Sequence, residues 1–144
     1  MTSTYTETSS SVLGVAEVLP KDVSSYGIVK TSTNSNGYQQ VEKIVEKPSI
    51  GFAPSNLAVI GRYILTPRIF TKLSQIQKGV GGEIQLTDAI SSLLDDEVVF
   101  TKEILGTRYD CGSKIGYLKA TVAFGLKHPE TSKEFRNFIG KISI

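Results

Sequence analysis

The sequence predicts an α/β fold: a mixed sheet flanked by helices. Two observations carry that expectation. Strand-like runs dominate the first half of the 144 residues, and 3.6-residue apolar periodicity dominates the second half. A single strand-like run, Val98 to Leu105, then falls between helical segments, which favours a mixed sheet over a doubly wound parallel one.

The elements follow in order. Seven of the ten residues of MTSTYTETSS are Ser or Thr and the segment buries little, so residues 1–10 are expected to be disordered, with one domain over 11–144. SVLGVAEV, from Ser11, reads as a buried strand over 11–18. Strands are expected at 26–31 and 38–47, with Asn36-Gly37 as the hairpin signal between them. Asn56 to Leu65 is the most strand-like run of all. Thr66 and Pro67 can open a helix over 67–77 with Ile69, Phe70, Leu73 and Ile76 on one face. GVGG, Gly79 to Gly82, is a loop. Leu86, Ile90, Leu93 and Leu94 line a helix over 85–95, before the 98–105 strand. Ser113 can cap a helix over 113–127 that turns Ile115, Leu118 and Val122 inward. Thr131 and Glu134 have capping-box spacing ahead of a last helix over 131–142.

Composition narrows the function. Sixteen basic against 14 acidic residues leave +2, scattered rather than clustered, which argues against a nucleic-acid partner. No apolar run approaches the roughly 20 residues of a membrane span, and no signal-peptide pattern opens the chain. One Cys excludes an internal disulfide framework, and one His makes a His/Cys zinc site implausible. A soluble cytoplasmic domain without a soft-metal site is expected.

Few residues then suggest chemistry. Glu46-Lys47-Pro48 ends a strand, where neighbours point to opposite faces unless the pleat breaks, and Pro48 favours extended backbone before it. A carboxylate for sugar hydroxyls beside an ammonium for phosphate makes a sugar-phosphate pair. A solvated strand end is the commoner origin of such a tripeptide. Asp110, at a strand-to-helix turn, suits Mg²⁺ as a hard oxygen ligand, or simply a turn. GVGG lacks a following Lys-Ser/Thr, so it is no Walker loop. Asp95-Asp96, His128 and Cys111 read as a solvated pair, a helix-end His and a small buried thiol.

The order of motifs resembles the bacterial UTP–glucose-1-phosphate uridylyltransferases. The matching segments are SSYGIVK (Ser24 to Lys30), KIVEKP (Lys43 to Pro48), APSNLAVIGRYIL (Ala53 to Leu65), GGEIQLTDAI (Gly81 to Ile90) and RYDCGSKIGYLKATVAFGLKHPE (Arg108 to Glu130). They cover nearly everything after about residue 10. SNLA and YDCGSKIGY resemble the uridylyl enzymes more than the related thymidylyltransferases, whose corresponding turn reads LDTG.

The resemblance implies the C-terminal, sugar-phosphate-binding part of a Rossmann-like, glycosyltransferase-A-like nucleotidyltransferase domain. It implies transfer of UMP from UTP to glucose 1-phosphate, giving UDP-glucose and pyrophosphate with Mg²⁺. By that resemblance Gly27 offers backbone close to the sugar, and Glu46 accepts from its hydroxyls. Lys47 meets the phosphate as the catalytic cation. Asn56, Leu57, Ala58 and Val59 frame the sugar pocket, and Asp110 is a metal carboxylate. The family's G-x-G-T-R nucleotide loop and its earlier Mg²⁺ aspartate do not occur in these 144 residues. A fragment, a truncated frame and one part of a split enzyme all fit. The implied chain is inactive alone and self-associates or takes an N-terminal partner half. The alternative is a non-catalytic sugar-phosphate-binding or oligomerisation module.

Overall fold

A computed structural model describes residues 1–77 and 82–142. Of GVGG only Gly82 falls within them; Gly79 to Gly81 lie outside the described residues. The chain divides into two compact units, Met1–Leu105 and Gly106–Ile144.

The first unit is built on five strands: β1 (Ser11–Glu17), β2 (Gly27–Thr33), β3 (Gln39–Glu46), β4 (Leu57–Ile64) and β5 (Val99–Glu103). Each lies within two residues of its sequence expectation. The sheet is mixed, as expected, and closes on itself in the order β1-β4-β2-β3-β5. β1 pairs parallel with β5, and the other pairings are antiparallel. Closure rests on the single pair Gln40↔Phe100 between β3 and β5.

β1 lies between β4 and β5, so its SVLGV run is buried throughout rather than alternating. The β2–β3 hairpin turns at Asn34 to Gly37. Asn34 Oδ1 accepts from the N–H of Asn36 and Tyr38, and Gly37 takes φ +82, open to glycine without steric cost.

Two helices, α2 (Arg68–Gln75) and α3 (Leu86–Leu93), cover one face of the sheet. Ile69, Ala89, Ile90 and Leu93 join Leu13, Val15, Val29, Val41, Ile44, Val59 and Val99 in the main core. Burying each Val, Leu or Ile among them contributes about 1.5–3 kcal/mol. Phe70, expected on the inner face of α2, is 73% exposed. Thr66 does not cap α2 with its side chain; its hydroxyl donates to Glu97, which also accepts from the fully buried Ser11.

The N-terminal decapeptide departs from expectation. Thr2–Thr8 forms a helix, α1, where disorder was expected from composition. Its support is tertiary: Thr4 is buried, and Tyr38 donates its hydroxyl to Glu7. That acceptor holds the Tyr38 phenol above its ordinary pKa.

The second unit holds α4 (Lys114–Gly125) and α5 (Ser132–Ile139). Ser113 caps α4 as expected, its Oγ accepting from Gly116 N–H at 3.1 Å. The inward face of α4 is not the expected one. Gly116 and Ala120 are buried, whereas Ile115, Leu118 and Val122 are exposed. Small residues win because neighbouring backbone and rings come close: Asp110 presses on Gly116 and Phe135 on Gly125. Thr131 opens α5, but its hydroxyl donates to Gly125 O rather than capping.

Candidate functional site

The first unit brings three of the proposed residues together. Gly27 opens β2 and pairs with Glu46 at the end of β3, so both face the α3 side. Glu46 Oε2 accepts a hydrogen bond from Thr87 Oγ1, on the first turn of α3, at 2.5 Å. A β-carbon on Gly27 would sit 3.2 Å from that same Oε2 and 3.5 Å from Thr87 Oγ1. A side chain at 27 would crowd the carboxylate in its present position.

Lys47 breaks the strand. The expectation of extended backbone before Pro48 is corrected: Lys47 has φ +43, in the left-handed region. Its N–H donates to Tyr26 O at 2.9 Å, and Pro48 behind it is buried. A non-glycine residue there carries about 1–2 kcal/mol of strain, held by these fixed neighbours. The break in the pleat turns Lys47 toward its neighbour, and Nζ comes to 3.8 Å from Glu46 Oε1. The ammonium side chain is 61% exposed, the Glu46 side chain 25%. This is an ion pair open to solvent, weak in itself and accessible to an anion.

Residues 56–59 run antiparallel to β2 through the pairs Ile28↔Ala58 and Val29↔Leu57. They point in different directions. Ala58 is fully buried with Val23 and Ile28, and Val59 belongs to the main core. Leu57 lines a separate cavity of about 310 Å³ with Thr4, Tyr38 and Thr101, away from Glu46. Asn56 is exposed, and its carbonyl accepts from Val18 N–H. Of these side chains Asn56 is exposed and Leu57 partly so, whereas Ala58 and Val59 are buried.

In the second unit Asp110 is exposed at the turn before α4. Its Oδ1 accepts from Gly112 N–H at 3.1 Å, while its carbonyl takes both the N–H and the hydroxyl of Ser113. Oδ2 has no hydrogen-bond partner among the described residues. One hard oxygen at an ordered turn fits Mg²⁺ that also takes phosphate and water. No cluster of three or more His, Cys, Asp or Glu occurs among the described residues. Cys111, expected to be buried, is exposed.

Sequence reasoning missed Thr87 and Tyr63. Thr87 stands 41 residues from Glu46, and its only trace was its place in the GGEIQLTDAI segment. Tyr63, on β4, is held above its ordinary pKa by partial burial and then by the Glu46 carboxylate. Of the other candidates, Asp96 pairs with Lys72 at 2.9 Å, and His128 Nδ1 accepts from Glu130 N–H. Both are structural contacts. No helix among the described residues is long and apolar enough to cross a membrane.

The chain as a whole is similar to known proteins. The UTP–glucose-1-phosphate uridylyltransferase of Staphylococcus epidermidis is 45% identical over 97% of this chain, which spans 49% of that protein. A UTP-bound UGPase from Acinetobacter baumannii superimposes with a TM-score of 0.83 at 41% identity, over 99% of this chain and 49% of that one. A UDP-glucose pyrophosphorylase complexed with UDP-glucose gives 0.82 at 42% identity, over 89% of this chain and 49% of that one. This chain thus spans about half the length of the relatives it matches. The model of the nucleotidyl transferase family matches residues 4–125, and with the mixed sheet and its flanking helices in place the chain belongs to that family.

Proposed function

We propose that these residues form the sugar-phosphate-binding part of a UTP–glucose-1-phosphate uridylyltransferase. One observation supports the reading above others: a carboxylate braced against a side-chain-free strand start, with an exposed ammonium 3.8 Å away. Glu46 accepts from glucose hydroxyls, and Gly27 lets the ring approach the backbone. Asn56 and the backbone of Leu57, Ala58 and Val59 edge the pocket. Lys47 meets the sugar phosphate. A phosphate oxygen of glucose 1-phosphate attacks the α-phosphorus of UTP, the bond to the β-phosphate oxygen breaks, and pyrophosphate leaves. Lys47 offsets the charge brought together in that step. Asp110 would hold Mg²⁺, which when bound neutralises phosphate charge. No covalent nucleophile is required, because such transfers rest on positioning and electrostatics. The exposed thiol of Cys111 fits a reducing, cytoplasmic setting.

These 144 residues hold no triphosphate cradle, since no G-x-G-T-R occurs in them. They therefore work with an N-terminal half, on another chain or the same one, and assemble rather than act as free monomers. A coupled pyrophosphate assay tests this. The purified 144 residues should be silent with UTP, glucose 1-phosphate and Mg²⁺, and should form UDP-glucose once the N-terminal half of the S. epidermidis relative is added. Turnover by the 144 residues alone would overturn the division of labour. Glucose 1-phosphate binding with no turnover in the mixture would instead favour a non-catalytic sugar-phosphate module.

A further inference from the structure

We infer that Thr87 is a positioning residue that fixes the Glu46 carboxylate and reserves one of its oxygens, Oε1, for the ligand. The inference rests on the reading of Glu46 as the acceptor of sugar hydroxyls. Glu46 carries a flexible side chain at a strand end, and such a chain binds weakly unless something holds it. Thr87 Oγ1 donates to Oε2 at 2.5 Å, a hydrogen bond to an ionic acceptor and thus of the stronger kind.

The donor sits on a rigid support. Thr87 is the second residue of α3, and Ala89, Ile90 and Leu93 of that helix are at most 1% exposed in the core. Three separate backbones therefore converge on Oε2: Glu46 from β3, Thr87 from α3, and Gly27 from β2, whose missing β-carbon would stand 3.2 Å away. Oε2 already accepts from Thr87. Oε1 is left facing Lys47 Nζ at 3.8 Å, so the acceptor for a hydroxyl and the cation for a phosphate lie side by side. The position of Thr87 also explains why valine should not serve there. It would match the shape and supply no donor.

The test uses Thr87→Val, Thr87→Ser and Glu46→Gln in the 144-residue chain, with two readouts. The first needs no ligand: NMR three-bond couplings along the Glu46 side chain. One rotamer is expected in wild type and Thr87→Ser, and averaging over several in Thr87→Val. A single unchanged rotamer in Thr87→Val overturns the inference, whatever binds. The second is calorimetric affinity for glucose 1-phosphate. Thr87→Val should weaken it about tenfold and Thr87→Ser should restore most of that, while Thr87→Val added to Glu46→Gln should cost nothing further. An equal loss in the Glu46→Gln background would show that Thr87 does not act through Glu46. Unchanged affinity in Glu46→Gln, or no binding by wild type, would sink the sugar-acceptor reading of Glu46 and leave the couplings to decide the role of Thr87.

Discussion

Gly116 lies directly against the carbonyl of Asp110. A β-carbon at position 116 would overlap that oxygen and come within 2.7 Å of Ser113 Oγ. The turn that carries Asp110 is folded over the first turn of α4, and its carbonyl takes the Ser113 N–H and hydroxyl there.

Gly116→Ala should therefore cost about 1–3 kcal/mol despite the higher helix propensity of alanine, the range for inserting a methyl group into a packed site. Backbone cannot swing aside as a flexible side chain can. Urea unfolding of the two proteins checks this, and an alanine variant as stable as wild type would show that the turn gives way freely.

Lys47 sits at φ +43, and only glycine takes that conformation without cost. Lys47→Gly should be about 1 kcal/mol more stable than Lys47→Ala. Both should weaken glucose 1-phosphate by about 1.5–3 kcal/mol, the scale of a lost charged hydrogen bond. Denaturant melts give the first comparison and calorimetry the second. Wild-type affinity in both variants would return Lys47 to the role of a solvated strand end.

Glu97 gathers two hydroxyls, from Ser11 and Thr66, and Ser11 is fully buried. Glu97→Ala leaves both without their acceptor. A loss of about 1–3 kcal/mol is expected, read by thermal or urea unfolding. Glu97→Gln keeps one acceptor oxygen and should lose less.

Tyr63 titrates above its ordinary 10.0, first because burial disfavours the phenolate and then because Glu46 repels it. The folded chain holds this proton longer than the unfolded chain does. The stability it contributes is complete below pH 10 and is lost as pH rises past that value. Tyr63→Phe should therefore flatten the alkaline fall in stability, followed by urea midpoints between pH 8 and 11. Glu46→Gln should lower the Tyr63 midpoint part of the way, because the larger cause, burial, remains.

The strands and helices were legible because their signals are local. The Asn36-Gly37 turn, the Ser113 cap and the strand-like run from Leu57 to Ile64 each act within a few residues, and each appears where the pattern puts it. The candidate residues Glu46, Lys47 and Asp110 could likewise be marked by type and place in the chain. Local patterns failed where a distant partner decides. The polar decapeptide becomes α1 because Tyr38 meets Glu7 and a pocket admits Thr4. The apolar stripe of Ile115, Leu118 and Val122 stays exposed because Gly116 and Ala120 allow closer approach.

Sequence by itself determined the order and type of the elements after residue 10, the Asn36-Gly37 turn, the Ser113 cap, and the family. Tertiary structure decided that the sheet closes through Gln40 and Phe100, that Lys47 turns back toward Glu46, and that Thr87 holds the carboxylate. The physical reason is range. Backbone preference and hydrophobic period are properties of a few successive residues, whereas a hydrogen bond across 41 residues exists only once the core beneath α3 has brought its two ends together.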